Sequence, residues 1–138
     1  MNSSELEQLT DAYICYWEGK YKADERGIVG GADFERHSWA NDQIMELTDE
    51  NPDELWSIIM KVLSKSQSNT ILEILSAGPL EDYLARLGER VIDKVEKEAK
   101  LNPDFANLLG GVWQNSMSDE IWSRVQNVWD RNGWDGDA

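Results

Sequence analysis

Few side chains in this sequence are of the types that do chemistry, and their spacing argues against most of what they could do. His37 is the only histidine and Cys15 the only cysteine. A zinc site needs several Cys or His ligands at short spacings, and neither residue has such company. Nor does one His among scattered Ser make a Ser-His-Asp arrangement. His37 lies between Phe34 and Ile44 and reads as a half-buried structural residue, and Cys15, inside a helical pattern, reads as a small buried hydrophobe. Carboxylate pairs such as Asp53/Glu54 and Glu81/Asp82 would serve acid–base catalysis only in a pocket that splits their pKa values. Both pairs stand where a helix begins, and there the dipole already favours negative charge. Gly27, Gly30 and Gly31 have no strand before them and no Lys-Ser/Thr after them, so they do not form a phosphate cradle. The tail from Asp130 to Asp137 alternates oxygens around glycines but lacks the sixth-position Gly and the distal Glu of a calcium loop. It reads as a flexible acidic tail over residues 130–138. No catalytic residue, metal or cofactor is assigned.

What remains is recognition. The segment from Gly111 to Trp122 is the densest unusual composition in the chain, with Trp113, Gln114 and Asn115 in a turn ahead of the last helix. Trp is over-represented among interface hot spots, which would make Trp113, Gln114, Asn115 and Trp122 a recognition surface. The competing reading places both Trp in the core and has the amides tie down the loop. Trp39 falls beside the apolar stripe of its helix and is expected either to be partly exposed or to touch a neighbouring helix.

The elements that must position these residues are helices, because apolar residues recur at three- and four-residue spacing and no run alternates at period two. Ser4 with Glu7 suggests a capping box for a first helix lined by Leu6, Leu9, Tyr13, Tyr16 and Trp17 and ending at Gly19. Residues 19–33 hold four Gly and no period, and form the longest expected loop. Asp33 is a candidate cap for a helix carrying Phe34, His37, Asn41, Ile44, Met45 and Leu47. Asn51-Pro52-Asp53 and Asn102-Pro103-Asp104 each offer a cap, a first-turn Pro and an acid at the positive end of a helix. Ser68 or Asn69 starts a short helix running to Gly78-Pro79, where Gly is expected at a left-handed C′ position. The next helix carries Leu80, Tyr83, Leu84, Leu87, Val91, Ile92, Val95 and Ala99, with an interruption at Gly88. Gly110-Gly111 closes a helix bearing Phe105, Leu108 and Leu109, and Ser118 caps the last one. The expectation is an all-α, single-domain, compact bundle of antiparallel helix pairs with a solenoid-like arrangement.

Charge narrows the function. A formal net charge of −14 is concentrated in residues 1–60, which hold 14 acids and 4 bases. Such a field repels phosphate backbones and anionic lipid, so neither nucleic acid nor membrane is the expected partner. No apolar stretch approaches the roughly 20 residues needed to span a bilayer, no secretory signal is visible, and a lone Cys suits a reducing compartment. Cytoplasm is the expected location.

The stretches GPLEDYLARLGERVIDKVEKEA and LLGGVWQNSMSDEIWSRV, with Gly78 to Asp82, Gly88 to Arg90 and Gly111 to Asn115 as their markers, resemble a bacterial family of small proteins catalogued as a domain of unknown function. The resemblance spans residues 36 to 128. It implies an all-helical cytoplasmic protein and assigns no activity.

Together these readings suggest a non-enzymatic protein-binding module, most concretely an inhibitor or immunity-type protein that neutralises a basic partner such as a nuclease toxin. The expected contact residues are Asp24, Glu25, Asp33, Trp39, Asp42, Glu46, Asp49 and Glu50, with Trp113, Gln114 and Asn115. The alternatives are a helical adaptor whose charge serves solubility, and an enzyme or ligand-binding domain built on His37, carboxylates and the Gln114-Asn115 turn.

Overall fold

The need to satisfy backbone groups at helix ends sets where each element starts. A computed structural model describes residues 1–20 and 36–134; the expected 19–33 loop beyond Lys20, the Asp33 cap, and Asp24 and Glu25 lie outside the described residues. The protein is all-α, with no strand among the described residues. The chain divides into two units, Met1–Ile71 and Leu72–Ala138.

The first unit contains α1 (Ser3–Lys20), α2 (Ser38–Glu50) and α3 (Pro52–Lys65). The cap of α1 is Asn2 rather than the Ser4–Glu7 box: the Glu5 N–H donates to Asn2 Oδ1 at 2.8 Å. Glu7 is engaged elsewhere, because its carboxylate accepts from Lys61 Nζ at 2.8 Å and also from Lys65 Nζ, which in turn reaches Asp11 at 2.7 Å. These ion pairs tie α1 to α3. Asn51 serves two helices, its N–H closing α2 on Leu47 O at 2.9 Å and its side chain accepting the Glu54 N–H at 3.3 Å. Leu9, Tyr13, Ile44, Leu55, Ile58, Ile59 and Val62 are buried between the three helices. Buried Thr10 donates to Leu6 O at 2.7 Å, so its hydroxyl is satisfied.

A short α4 (Asn69–Leu75) begins where Ser68 Oγ accepts the Ile71 N–H at 3.2 Å. The expected break at Gly78-Pro79 does not occur. Ser76–Leu80 forms a π turn that runs straight into α5 (Glu81–Leu101). A widened turn accommodates a proline that has no N–H to give, and no left-handed residue is needed. Among the described glycines only Gly133 has positive φ, at 86°.

In the second unit α5 buries Tyr83, Leu84, Ile92 and Val95. Its interruption falls at Gly88, as the spacing suggests, with non-helical φ 0° and ψ −84°. A Cβ there would lie 3.3 Å from Ile121 Cγ1, so the missing side chain also lets α7 (Asp119–Val128) approach. Between them α6 (Pro103–Leu109) starts on Asn102, whose Oδ1 accepts from the N–H groups of Asp104 and Phe105 at 3.1 and 3.3 Å. Ser118 caps α7 through the Ile121 N–H at 3.2 Å. Arg124 of α7 donates to Asp93 Oδ1 at 2.6 Å and from Nε to Glu96 Oε2 at 3.0 Å. The Asn-Pro-Asp start thus works the same way in both units.

The expected flexible tail is corrected for its first five residues. The Asp130 N–H donates to Ala106 O at 2.9 Å, Arg131 Nη1 to Gly110 O at 2.7 Å, and Trp134 Nε1 to Asn107 O at 2.7 Å. Asn107 Nδ2 returns a bond to Asn132 O at 2.9 Å. This strap adds donors at the end of α6, to Ala106 O and Asn107 O, which also accept the Gly110 N–H, and to Gly110 O. Gly110 and Gly111 are needed for room rather than conformation. A Cβ on Gly110 would lie 2.1 Å from Asp130 O, and one on Gly111 2.5 Å from the Trp134 ring. Residues 135–138 lie outside the described residues.

Two outcomes follow from these contacts. Lys61 and Lys65 hold the Glu7 carboxyl down from its ordinary 4.5 to about 2. A depressed carboxylate contributes stability above its unfolded-state pKa, and that contribution disappears as pH falls through the folded value. The stability gap between wild type and Glu7→Gln in urea should therefore be constant near neutrality and close between about pH 4.5 and 2. Gly110→Ala should dislodge the strap at a cost of about 1–3 kcal/mol, with amide-exchange protection lost at Asp130 ahead of the rest of the unit.

Candidate protein-binding surfaces

Helix α2 separates its residues cleanly. Ala40, Ile44, Leu47 and Thr48 point inward and are buried. Trp39, Asp42, Glu46, Asp49 and Glu50 follow one another at three- and four-residue spacing on the opposite side, all exposed. Trp39 is 46% exposed and Met45, at the edge of this face, 62%. The sequence reading set Met45 on the apolar stripe beside Ile44. In the fold it lies one residue, about 100° of rotation, past the stripe, on the solvent side.

The charges of α2 are placed against its own dipole. It has no acid in its first turn and no base in its last, while Asp49 and Glu50 sit at its negative end. Carboxylates there weaken a helix by a few tenths of a kcal/mol or more, so helix stability does not account for them. The surface they make consists of two large apolar side chains among four carboxylates, with no Lys or Arg in the element.

Trp39 also edges an open groove of about 390 Å³ lined by Gln8, Asp11, Ala12 and Cys15 of α1 with Arg36 and His37. Cys15 is exposed there, which corrects the expectation of burial. Its stripe neighbours Ala12 and Tyr13 occupy the core instead. His37 is half-buried, as its place between apolar positions suggests.

The turn between α6 and α7 is the other place where expected contact residues meet. Glu81, in the first turn of α5, accepts the Trp113 N–H on Oε1 at 2.9 Å and Asn115 Nδ2 on Oε2 at 3.2 Å. Gln114 Nε2 donates to Met117 O at 3.2 Å and to Asp119 Oδ1 at 2.9 Å, and the Met117 N–H returns to Gln114 O at 2.9 Å. Asn115 adopts φ 50°, a left-handed conformation that Asn tolerates better than most residues. Val112 and Met117 are buried on either side of the turn. The amides do tie down the loop, as one reading of the sequence holds. Trp113 is not core: it is 74% exposed. Trp122 is half-buried and stacks edge-on against Trp129, ring centres 5.3 Å apart.

Residues 30–133 match the family model described as Family of unknown function (DUF6869). The chain belongs to the DUF6869 family. The match takes in α2 and its exposed face, the Glu81-held turn, and the strap as far as Gly133, so it extends past the stretch in which the sequence shows its resemblance. Comparison with curated proteins and with solved structures gives no match. Among the described residues there is no group of three or more His, Cys, Asp or Glu placed to hold a metal ion, and no helix long and apolar enough to cross a membrane.

Sequence reasoning missed Glu81 and Met45. Glu81 is explained well enough by its helix-start position that its second role stays hidden, although it stands in one marker motif and its partners stand in another. Asn107, Arg131 and Trp134 were missed because their bonds join residues more than 20 positions apart.

Trp39 and Trp113 are both exposed, so Trp39→Ala and Trp113→Ala should each change unfolding free energy by no more than about 1 kcal/mol. Phe105→Ala, at a fully buried position, should cost about 3–5 kcal/mol. Urea titrations of the three variants check the contrast.

Proposed function

We propose that this DUF6869 member is a non-enzymatic protein-binding module of the bacterial cytoplasm that engages a basic protein partner, most concretely an inhibitor that neutralises a toxin such as a nuclease. The observation that carries the reading is the exposed face of α2. There Trp39 and Met45 stand among Asp42, Glu46, Asp49 and Glu50, with no basic residue on the helix. An exposed Trp is a residue type enriched at binding hot spots. The carboxylates would steer a Lys/Arg-rich surface into register and speed encounter, and Trp39 would supply the desolvated contact. The net charge of −14 extends that attraction over about a Debye length, about 8 Å at physiological ionic strength. The acids in the part of the chain before α2, Asp24, Glu25 and Asp33, would add to the same field.

The test is co-purification with the product of the adjacent gene. Complex formation is expected at low salt, with the association rate falling steeply as salt rises. Asp42→Lys combined with Glu46→Lys should slow association by an order of magnitude or more, and Trp39→Ala should chiefly speed dissociation, about tenfold or more. Binding that ignores both salt and the double charge reversal would sink the proposal.

A further inference from the structure

The Trp113 turn has an organisation that the α2 reading does not use. An indole 74% exposed gains little from folding, and a free loop would let it collapse onto neighbouring apolar surface. Here the chain is held so that it cannot. Both oxygens of Glu81 are engaged, one on the Trp113 N–H and one on the Asn115 amide. Gln114 is fastened to Met117 O and Asp119, and Asn115 sits at φ 50°. Buried Val112 and Met117 pin the two ends. Several bonds and one unfavourable backbone conformation therefore order a loop whose largest side chain faces solvent. Ordering an anchor in advance removes the entropy loss that binding would otherwise carry.

We propose that the Trp113 turn is a docking knob separate from α2, whose occupant is a protein surface with an apolar socket edged by Lys or Arg. The protein class follows from charge. The turn is edged by carboxylates, with Glu81 beneath it and exposed Asp119 and Glu120 after it. Nucleic acid and anionic lipid would be repelled from such an edge, whereas a cationic rim would pair with it while the indole fills the socket. Arg or Lys at that rim gains further attraction from the indole face. Glu81 is the positioning residue: it touches the turn, and through the turn it aims Trp113.

The experiment follows the side-chain indole resonances of the full chain by NMR, assigned by single Trp→Phe variants, during titration with short synthetic peptides. The probes are an amphipathic Lys/Leu peptide, a Lys/Ser peptide of equal charge, and a Glu/Leu peptide, with phosphatidylcholine vesicles as a fourth arm. The Lys/Leu peptide should shift the Trp113 indole strongly, the Lys/Ser peptide weakly and the Glu/Leu peptide not at all. Trp113→Ala should weaken Lys/Leu binding roughly tenfold or more in a background carrying Asp42→Lys and Glu46→Lys, where the α2 face no longer attracts cations. Glu81→Ala should weaken it several-fold while leaving the Trp39 resonance nearly unchanged. Equal affinity of wild type and Trp113→Ala in that background overturns the knob, as does a Trp113 indole that responds to vesicles or to the Glu/Leu peptide as well as to Lys/Leu. Trp39 responding while Trp113 is silent would leave the α2 surface standing and remove only this one.

Discussion

A helix leaves backbone donors at its start and acceptors at its end that must find partners, and this constraint organises the molecule. Asn2, Asn51, Ser68, Asn102 and Ser118 each take up N–H groups at a helix start. At the far end of α6 the last acceptors are met by the N–H groups of Gly110, Gly111 and Val112, and the Asp130–Trp134 strap adds a backbone amide, a guanidinium and an indole. Where neither device is available the chain uses a π turn, so that Pro79 passes through Ser76–Leu80 without a break. The Trp113 turn is held in a similar manner, by side-chain bonds of Glu81 and Gln114.

Acidity divides into two populations with different work. Glu7, Asp11, Asp93 and Glu96 are paired with Lys61, Lys65 and Arg124, and these pairs join helices within each unit. Exposed pairs of this kind contribute modestly to stability. The carboxylates of α2 are different in kind. They lie on a helix with no base, partly at its unfavourable end, beside two exposed apolar side chains. The proposed contact with a basic partner would use that arrangement. Membership of DUF6869 is compatible with that view and adds no chemistry to it.

The same logic separates five of the seven Trp. Trp122 and Trp129 stack on one another, Arg131 lies 5.0 Å from the Trp129 ring centre, and Trp134 seats on Gly111 with its N–H bonded. Those three close the second unit. Trp39 and Trp113 have the opposite surroundings, since each is exposed. Exposed aromatic surface is the feature that both proposed contacts share.

The all-α class, the starts of α3, α6 and α7, and the kink at Gly88 were legible in the residues alone. Each depends on groups within about one helical turn of one another, as Asn102 Oδ1 depends on the N–H groups two and three positions on. The exposure of Trp113, Met45 and Cys15, the hold of Glu81 on a turn more than 30 residues away, and the docking of Trp134 were decided by tertiary packing. Spacing can say that a side chain is apolar and on which side of a helix it falls, but burial is a property of whatever else arrives at that side. Glu7 shows this directly: the spacing from Ser4 suggests a capping box, yet α1 starts earlier, on Asn2, and α3 brings two lysines to the Glu7 carboxylate.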